Sequence, residues 1–262
     1  MNIIVCIKQV PGTMQVEIDP DTGILKRDGV SSKMNPYDLY ALETALQIKS
    51  LTGAHIAVIT MGPPQAQEII REAFMMGADD GYILSDRKFA GSDVLATSYT
   101  LAGGIRKIGV YDLVICGRQT TDGDTAQVGP AVAEHLGIPH VTWVKSIESI
   151  DREGIVVEQN MEDSLEVVRL EFPCLISVEK DIFTPRLPSY LNLLKTRGRP
   201  ILTLSLLDLE DKSEENYGLS GSTTQVERIF QPEPGITQLK WDDSEIDCAQ
   251  RLYDLLSAEK YI

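Results

Sequence analysis

A regular alternation of short apolar runs and longer amphipathic segments over the first half of the chain constrains the fold more than any other feature. The apolar runs are rich in β-branched residues, which is typical of strands covered on both faces of a parallel sheet. The connections are short, so successive strands must be joined by right-handed helical crossovers. The alternation therefore predicts a doubly wound α/β domain. The runs occupy residues 2–8, 54–61, 80–85, 111–117 and 139–144.

Helix signals fill the intervals between these runs. Asn35 and Pro36 predict the start of the first helix, because an N-cap residue is followed by a ring already fixed at a helical φ. Gly53 predicts its end. Further helices are predicted at residues 63–77, 92–109 and 124–137.

The second half of the chain breaks this alternation. Residues 153–172 alternate across a turn near residues 162–163, which predicts an antiparallel β-hairpin. The run CLISVE at residues 174–179 predicts one more buried strand. A second hairpin is predicted in the first half, around the turn at residues 21–23.

The C-terminal part reads as an appendage. Prolines and basic residues in 184–200 favour an exposed, extended arm, and the polar stretch 210–225 predicts a linker. A helix is predicted from Asp243 to about Lys260. We therefore expect an α/β domain over residues 1–205, which includes the arm, and a linker with a helix that docks on a partner over residues 206–262.

Charge and composition exclude several classes of function. The net charge of −15 repels phosphate backbones and anionic lipids, so nucleic acid is not expected as a partner. No apolar run approaches the ~20 residues of a membrane span, and the N-terminal run reads as a strand, which favours a cytoplasmic protein. The four cysteines and three histidines show no metal-ligand spacing and are expected to be structural. We find no pairing of a nucleophile with a base, so this chain alone is not expected to catalyse a reaction.

A ligand of an open parallel sheet binds at the carboxyl ends of the strands, where the strand order reverses. The loops at residues 6–10, 61–64 and 116–130 follow predicted strands and are the places to look. The last of these, CGRQTTDGDTAQVGP, lies at a strand-to-helix junction, where free N–H groups and the helix dipole favour an anion. The sequence thus predicts a phosphate-binding loop.

Individual residues of this loop suggest roles. Gly117 and Gly123 permit positive φ and a close backbone approach, and Thr125 and Gln127 supply polar groups beside the small Ala126. Neither acid of the loop is expected to receive phosphate. They read as an Asx turn or ribose acceptor at position 122 and as the helix N-cap at position 124.

A plain reading of the same residues stays open. The patterns G-x-G-x-x-G and G-x-x-x-x-G-K-[ST] are both missing, so the loop can equally be a glycine-containing turn before a capped helix. In the same way, Asn35 and Asp38 read first as a cap and a first-turn acid, and second as ligand contacts.

Longer stretches of the sequence resemble the β subunit of electron transfer flavoproteins. The matching stretches are VCIKQVP, KMNPYDLYALETAL, ITMGPPQAQEIIREAFMMGADDG, CGRQTTDGDTAQVGP and PRLPSYLNLLK, in the order of that family. The resemblance implies a Rossmann-like fold of the adenine-nucleotide α-hydrolase type, a partner α subunit that carries FAD, and a pocket for an adenine cofactor in this chain. The cofactor-binding residues that it implies are Cys6, Asn35, Pro36, Tyr37, Asp38, Met61, Gly117, Arg118, Gln119, Thr120, Thr121, Asp122, Gly123, Asp124, Thr125, Ala126, Gln127 and Val128.

The identity of the cofactor divides the family into branches. The loop GDTAQVGP and the stretch SDRKFAGSDVLATSYTL look like the flavin-bifurcating branch, which implies FAD and not AMP. In that branch NADH gives a hydride to the β-subunit FAD; one electron goes to ferredoxin or flavodoxin, and the other passes through the α-subunit FAD to a dehydrogenase. The resemblance leaves open whether that dehydrogenase acts on acyl-CoA, on an enoyl-CoA such as caffeyl-CoA, or on lactate. Asp93, Thr97 and Ser98 are candidates to face the flavin, or plain residues of a helix start.

The arm looks like the family's recognition loop for its dehydrogenase. Tyr190 and Leu191 fall where the family places an apolar anchor, and Lys195 follows as a rim charge, with Arg197 and Arg199. A solvated surface loop is the alternative. A nucleotide-sensing stress protein is the main rival for the whole chain, but it leaves the arm and the C-terminal helix unexplained. An adenylating enzyme is disfavoured because its usual Ser-Gly-Gly loop is missing after the first strand.

Overall fold

The computed structural model describes residues 1–12, 32–226 and 240–262, in two compact units, Met1–Glu227 and Arg228–Ile262. The hairpin predicted around residues 21–23 lies outside the described residues. The strands are β1 (Asn2–Cys6), β2 (Gln9–Pro11), β3 (Ser32–Met34), β4 (His55–Met61), β5 (Asp80–Leu84), β6 (Leu113–Gly117), β7 (His140–Ile150), β8 (Gly154–Asn160), β9 (Leu165–Glu171), β10 (Cys174–Val178) and β11 (Leu202–Leu204). The α-helices are α1 (Pro36–Thr52), α2 (Gln67–Met76), α3 (Val94–Ile108), α4 (Val128–Leu136), α5 (Tyr190–Thr196) and α6 (Glu245–Ala258).

The doubly wound α/β fold is confirmed. One nine-stranded sheet has the order β11-β5-β4-β1-β6-β10-β7-β8-β9, and its strands are parallel from β11 to β7. Helices α1 and α2 cover one face, α3 and α4 the other, and each face buries its own apolar cluster. Since β1 pairs with β4 on one side and with β6 on the other, the strand order reverses at β1.

The predicted start and end of the first helix and the predicted hairpin in the second half are also observed. Helix α1 begins directly after Asn35 and ends at Gly53, whose φ of 72° is left-handed and whose N–H donates to the carbonyl of Lys49. Strands β8 and β9 form the antiparallel hairpin on the outer edge of the sheet. The buried strand predicted at residues 174–179 is β10, which inserts between β6 and β7.

The linker prediction is wrong for its first part. Leu206, Leu209 and Tyr217 are buried, and the hydroxyl of Tyr217 donates to the carbonyl of Asp211 at 2.7 Å. The first compact unit accordingly extends to Glu227 and not to residue 205. Leu206 and Leu209 precede the polar stretch 210–225, and Tyr217 lies within it, where the composition averaged over the stretch conceals its packing.

The arm is not fully extended. Helix α5 occupies seven residues of it, and the hydroxyl of Ser189 accepts the N–H of Asn192 as its N-cap. The prolines at positions 185, 188 and 200 all lie outside this helix, so they do not interrupt it. In the second unit, α6 begins after Ser244, whose hydroxyl accepts the N–H of Asp247.

Candidate functional site

Three of the predicted loops do meet at the carboxyl edge of the sheet. Cys6 ends β1 and stands in register with Ile59 of β4 and Cys116 of β6. Beyond the strand, the carbonyl of Lys8 accepts the N–H of Asn35 at 2.9 Å, which brings the start of α1 to the same edge. Met61 ends β4, the next strand along the sheet.

Asn35 ties the start of α1 to the predicted phosphate loop. Its side chain is fully buried, and Nδ2 donates to Oδ1 of Asp38 at 2.9 Å and to the carbonyl of Gln119 at 2.8 Å. Its Oδ1 accepts the N–H of Thr121 at 3.3 Å. Asn35 occupies the N-cap position but makes no side-chain cap bond, because its amide is committed to the loop. Its role is therefore to shape residues 119–121.

Asp38 is buried below the same loop. Its Oδ2 accepts the N–H of Lys8 at 2.7 Å, so neither oxygen is left facing a ligand. Burial raises the pKa of Asp38 to about 7, against the smaller lowering effects of the hydrogen bonds from Asn35 and Lys8. The ammonium of Lys8 does not reach Asp38, since it pairs instead with Asp122 at 2.8 Å.

The two loop glycines behave differently from the prediction. Neither Gly117 nor Gly123 has positive φ; the left-handed residues are Asp124 (φ 51°) and Ala126 (φ 55°). Gly117 is needed for close approach, as predicted, but the approach is to this chain: a Cβ there would lie 2.5 Å from Oδ1 of Asp38 and 2.7 Å from the backbone carbon of Tyr37.

The predicted N-cap at Asp124 is wrong. Helix α4 begins four residues later, at Val128, and Asp124 is left-handed outside it, with its carboxylate accepting from Nε2 of Gln119. The carboxylate of Asp122 accepts the N–H of the next residue, Gly123, at 2.9 Å. The predicted Asx turn would instead bond the N–H two residues further on. An acid at a helix start therefore signals a cap only if the backbone there is extended.

The displaced helix start leaves a row of backbone donors ahead of α4. Among the described residues, no hydrogen bond is donated by the N–H groups of residues 125–129. The side chains of Thr125 and Gln127 are exposed. Free amides at the N-terminus of α4 are the donor set that a phosphate requires, so these residues fit the predicted anion.

Arg118 is engaged by residues that sequence reasoning missed. Its guanidinium stacks 4.3 Å from the ring centroid of Trp143 and pairs with Glu179 at 3.1 Å, while its Nε is buried without a partner among the described residues. Trp143 has a φ of 57°, which is unusual for a bulky side chain. No pattern in the sequence signals this cluster, because it joins three strands that are distant along the chain.

The cysteines were expected to be small structural residues. Cys6 and Cys116 are buried at this edge, Cys174 is buried at the start of β10, and Cys248, in the second unit, is half-buried. A hydrogen bond with the Cys6 thiol, together with burial, raises the pKa of Cys116 well above its ordinary range, so it is a poor nucleophile. Within the described part of the chain, no three His, Cys, Asp or Glu side chains form a metal site.

The residues at the start of α3 that were candidates to face the flavin behave as ordinary residues of a helix start. Asp93 is the N-cap, accepting the N–H of Ala96 at 3.0 Å and that of Thr224 at 2.9 Å. Burial raises the pKa of Asp93, but these hydrogen bonds outweigh burial and lower the pKa to about 2. Ser98 is buried and donates to its own helix, while Thr97 is half-buried.

The two cavities and the exposed side chains of the arm are formed by residues outside the predicted loop. Two cavities of about 280 and 320 Å³ lie beside α3 and share Gly103, Arg106 and Glu210, and neither is lined by the predicted loop. On the arm, Tyr190 and Leu191 are 69% and 66% exposed, and Lys195 is exposed as well. Arg199, predicted as a rim charge, folds back to carbonyls of the domain instead.

No helix in the described ranges is long and apolar enough to cross a membrane.

The fold and this edge define a class: doubly wound α/β proteins with a loop of backbone N–H groups at the edge where the strand order reverses. A family model described as "Electron transfer flavoprotein domain" matches residues 22–209. The chain is 48% identical over 233 residues to the "Caffeyl-CoA reductase-Etf complex subunit CarD" of Acetobacterium woodii, with 88% of each chain covered. It is 47% identical over 228 residues to an electron transfer flavoprotein subunit beta of Clostridium acetobutylicum, with 87% of each covered, and 40% identical to that of Megasphaera elsdenii over the full length of both. The chain belongs to the β-subunit family of electron transfer flavoproteins, and its role is in electron transfer.

Proposed function

We propose that this chain is the β subunit of a heterodimeric, flavin-bifurcating electron transfer flavoprotein that binds FAD. The complex takes electrons from NADH and passes them to ferredoxin or flavodoxin and, through the FAD of the α subunit, to a partner dehydrogenase. The observation that carries the proposal is the row of N–H groups at residues 125–129 that have no acceptor in the described ranges, at the edge where the strand order reverses.

The residues of this chain divide the work of holding the cofactor. The free amides, with the exposed Thr125 and Gln127, hold the diphosphate, and Asn35 and Asp38 fix the preceding turn of the loop. Asp38 therefore acts as a positioning residue and not as a direct contact. The isoalloxazine, when bound, supplies hydride and single-electron chemistry, while the protein supplies binding, orientation and the surrounding charge.

FAD is preferred to AMP because of the loop sequence from Gly123 to Pro130 and the similarity to the relative from A. woodii, whose name places it in a caffeyl-CoA reductase complex. A non-bifurcating β subunit with structural AMP is the second candidate, since the same amides would hold a monophosphate. The family membership removes the main reason for a stress-protein reading.

The partners follow from the same proposal. An α subunit completes the heterodimer, and helix α6 docks on it. The exposed arm side chains Tyr190, Leu191 and Lys195 dock on an FAD-containing dehydrogenase of the acyl-CoA, caffeyl-CoA or lactate type. We place the complex in the cytoplasm, and the net charge of −15 on this chain disfavours nucleic acid as a partner.

Counting cofactors in the purified heterodimer tests this function. The chain is copurified with its α subunit, denatured, and its released flavin and AMP are quantified. Two FAD per heterodimer and no AMP are expected; one FAD with one AMP would overturn bifurcation and leave the second candidate. The variant Thr125→Glu, which places a carboxylate among the amides, should lose the β-site cofactor and keep the α flavin. Thr203→Glu, on the exposed edge strand β11, is the matched control and should keep both.

A further inference from the structure

The arm is unusual in what it leaves outside. Helix α5 buries none of its own residues. The apolar side chains of Leu187, Tyr190, Leu191 and Leu194 are between 51% and 86% exposed. An element without buried apolar area has little hydrophobic stabilisation, and a seven-residue helix is not stable alone. Something other than apolar packing must hold it.

An ion pair between a buried carboxylate and a partly exposed guanidinium holds the base of the arm. The carboxylate of Glu43, on α1, is 2% exposed. It accepts hydrogen bonds from Nε and Nη2 of Arg186, each at 2.8 Å, and from the backbone N–H of Arg186 at 3.0 Å. Nε2 of Gln47 donates to the same carboxylate at 2.7 Å. Both oxygens of Glu43 are therefore saturated, and the arm is fixed at Arg186 by three bonds.

Polar bonds also fix the helix and its far end. The carbonyl of Met75 accepts the N–H of Ser189 and Nδ2 of Asn192, each at 3.0 Å. Beyond α5, Nη1 of Arg199 donates to the carbonyls of Ala78 and Asp79 at 2.9 Å. The guanidinium of Arg199 also lies 5.2 Å from the ring centroid of Phe74. The arm is thus attached at both ends and once in its helix.

The choice of an ion pair for this attachment is informative. Removing a carboxylate from water is costly, and well-packed apolar residues of similar size usually stabilise a fold as well or better. An apolar contact, however, is non-directional. A bidentate pair of a guanidinium with a carboxylate fixes both distance and orientation. The pair is therefore suited to aiming the arm, and only secondarily to stabilising the domain.

We infer that Glu43, through Arg186, is a positioning residue that preorders α5 so that its exposed apolar side chains are presented to the dehydrogenase in one orientation. Ordering the arm before the encounter removes an entropic cost from docking. The inference rests on the proposed docking role of the arm and adds to it a residue on α1, outside the arm and the nucleotide loop.

The variant Glu43→Gln tests the inference in the intact heterodimer. The amide keeps the shape of the carboxylate but loses the charge and one of the two acceptors. Amide hydrogen exchange of residues 190–196 should quicken by about tenfold or more, and trypsin should cleave faster after Lys195 and Arg197. Glu68→Gln removes an exposed acid of α2 and should change neither. If α5 exchanges at the wild-type rate in Glu43→Gln, the inference is wrong.

A second variant keeps the test usable if Glu43→Gln unfolds. Arg199→Gln leaves the ion pair intact and removes only the far attachment, so it should quicken exchange toward the end of the arm while Arg186 stays protected. If Arg199→Gln instead loosens the whole arm equally, the ion pair does not hold its base and the inference fails.

Docking is measured with an acyl-CoA, a caffeyl-CoA and a lactate dehydrogenase, using whichever the wild-type heterodimer reduces. Glu43→Gln should raise the KM for that enzyme and leave kcat and the flavin content unchanged, whereas Leu191→Ala should raise the KM without changing exchange in α5. An unchanged KM in Glu43→Gln would refute the positioning role. No reduction of any of the three by the wild-type heterodimer would count against the proposed docking function, and the exchange experiment would still decide the role of Glu43.

Discussion

Replacing Asp38 by Asn should remove a pH dependence from the stability of the protein. The pKa of this buried acid is about 7 in the folded chain against an ordinary value of 3.8. The folded chain therefore holds a proton that the unfolded chain has released, and stability rises as the pH falls from about 7 toward 3.8. Between about pH 8 and about pH 5, the wild type should gain about 2.5 kcal/mol relative to Asp38→Asn.

Urea denaturation at both pH values measures this difference. Subtracting the Asp38→Asn curve from the wild-type curve cancels the titration of all other groups. Asp163→Asn, in the exposed turn between β8 and β9, is the control and should follow the wild type at both pH values. An equal change for wild type and Asp38→Asn, or a wild type that loses stability on acidification relative to the variant, would refute the assignment of a buried carboxyl that has no ion pair.

Three further substitutions have expected outcomes. Gly117→Ala places a Cβ 2.5 Å from Oδ1 of Asp38, so we expect a loss of about 1–3 kcal/mol on denaturation together with weaker cofactor retention. Tyr217→Phe removes one buried hydrogen bond and should lower stability by about 1 kcal/mol in the same assay; no loss would mean that the segment after residue 205 is not packed as described. Arg118→Lys keeps the charge but loses the planar stack, and a change in the fluorescence of Trp143 reports it; an unchanged spectrum would contradict the stack.

Sequence patterns predicted the framework because its causes are local. Buried strands such as β1 and β4 need continuous apolar runs, and α1 needs a cap, a proline and a terminal glycine, all within one short window. The edge at which we predict a ligand followed from topology alone, and the structure does bring Cys6, Asn35 and Gly117 to one edge. Both inferences depend on residues that are neighbours in the chain or on rules of chain connection.

The finer geometry of the site depends on residues that are distant in the chain. Asp124 is a residue type that favours an N-cap, yet its backbone is left-handed and the helix starts later. The turn before it, at residues 119–121, is bonded to Asn35, which is 84 positions from Gln119 along the chain. The stack of Arg118 on Trp143 is a similar case. No single-sequence pattern encodes such pairs, so they could be found only in the structure.

Two buried acids on one helix show why environment, and not residue type, decides what each can do. Asp38 and Glu43 both lie on α1, and in each case burial acts to raise the pKa of the carboxyl. At Glu43 the hydrogen bonds from Arg186 outweigh burial and lower the pKa, so this carboxylate stays charged and can anchor the arm at any physiological pH. At Asp38 the ammonium of Lys8 is held by Asp122, burial prevails, and the pKa of about 7 lies near neutrality, beside the loop at residues 119–121. One end of α1 is therefore sensitive to pH, while the arm contact less than two turns later is not.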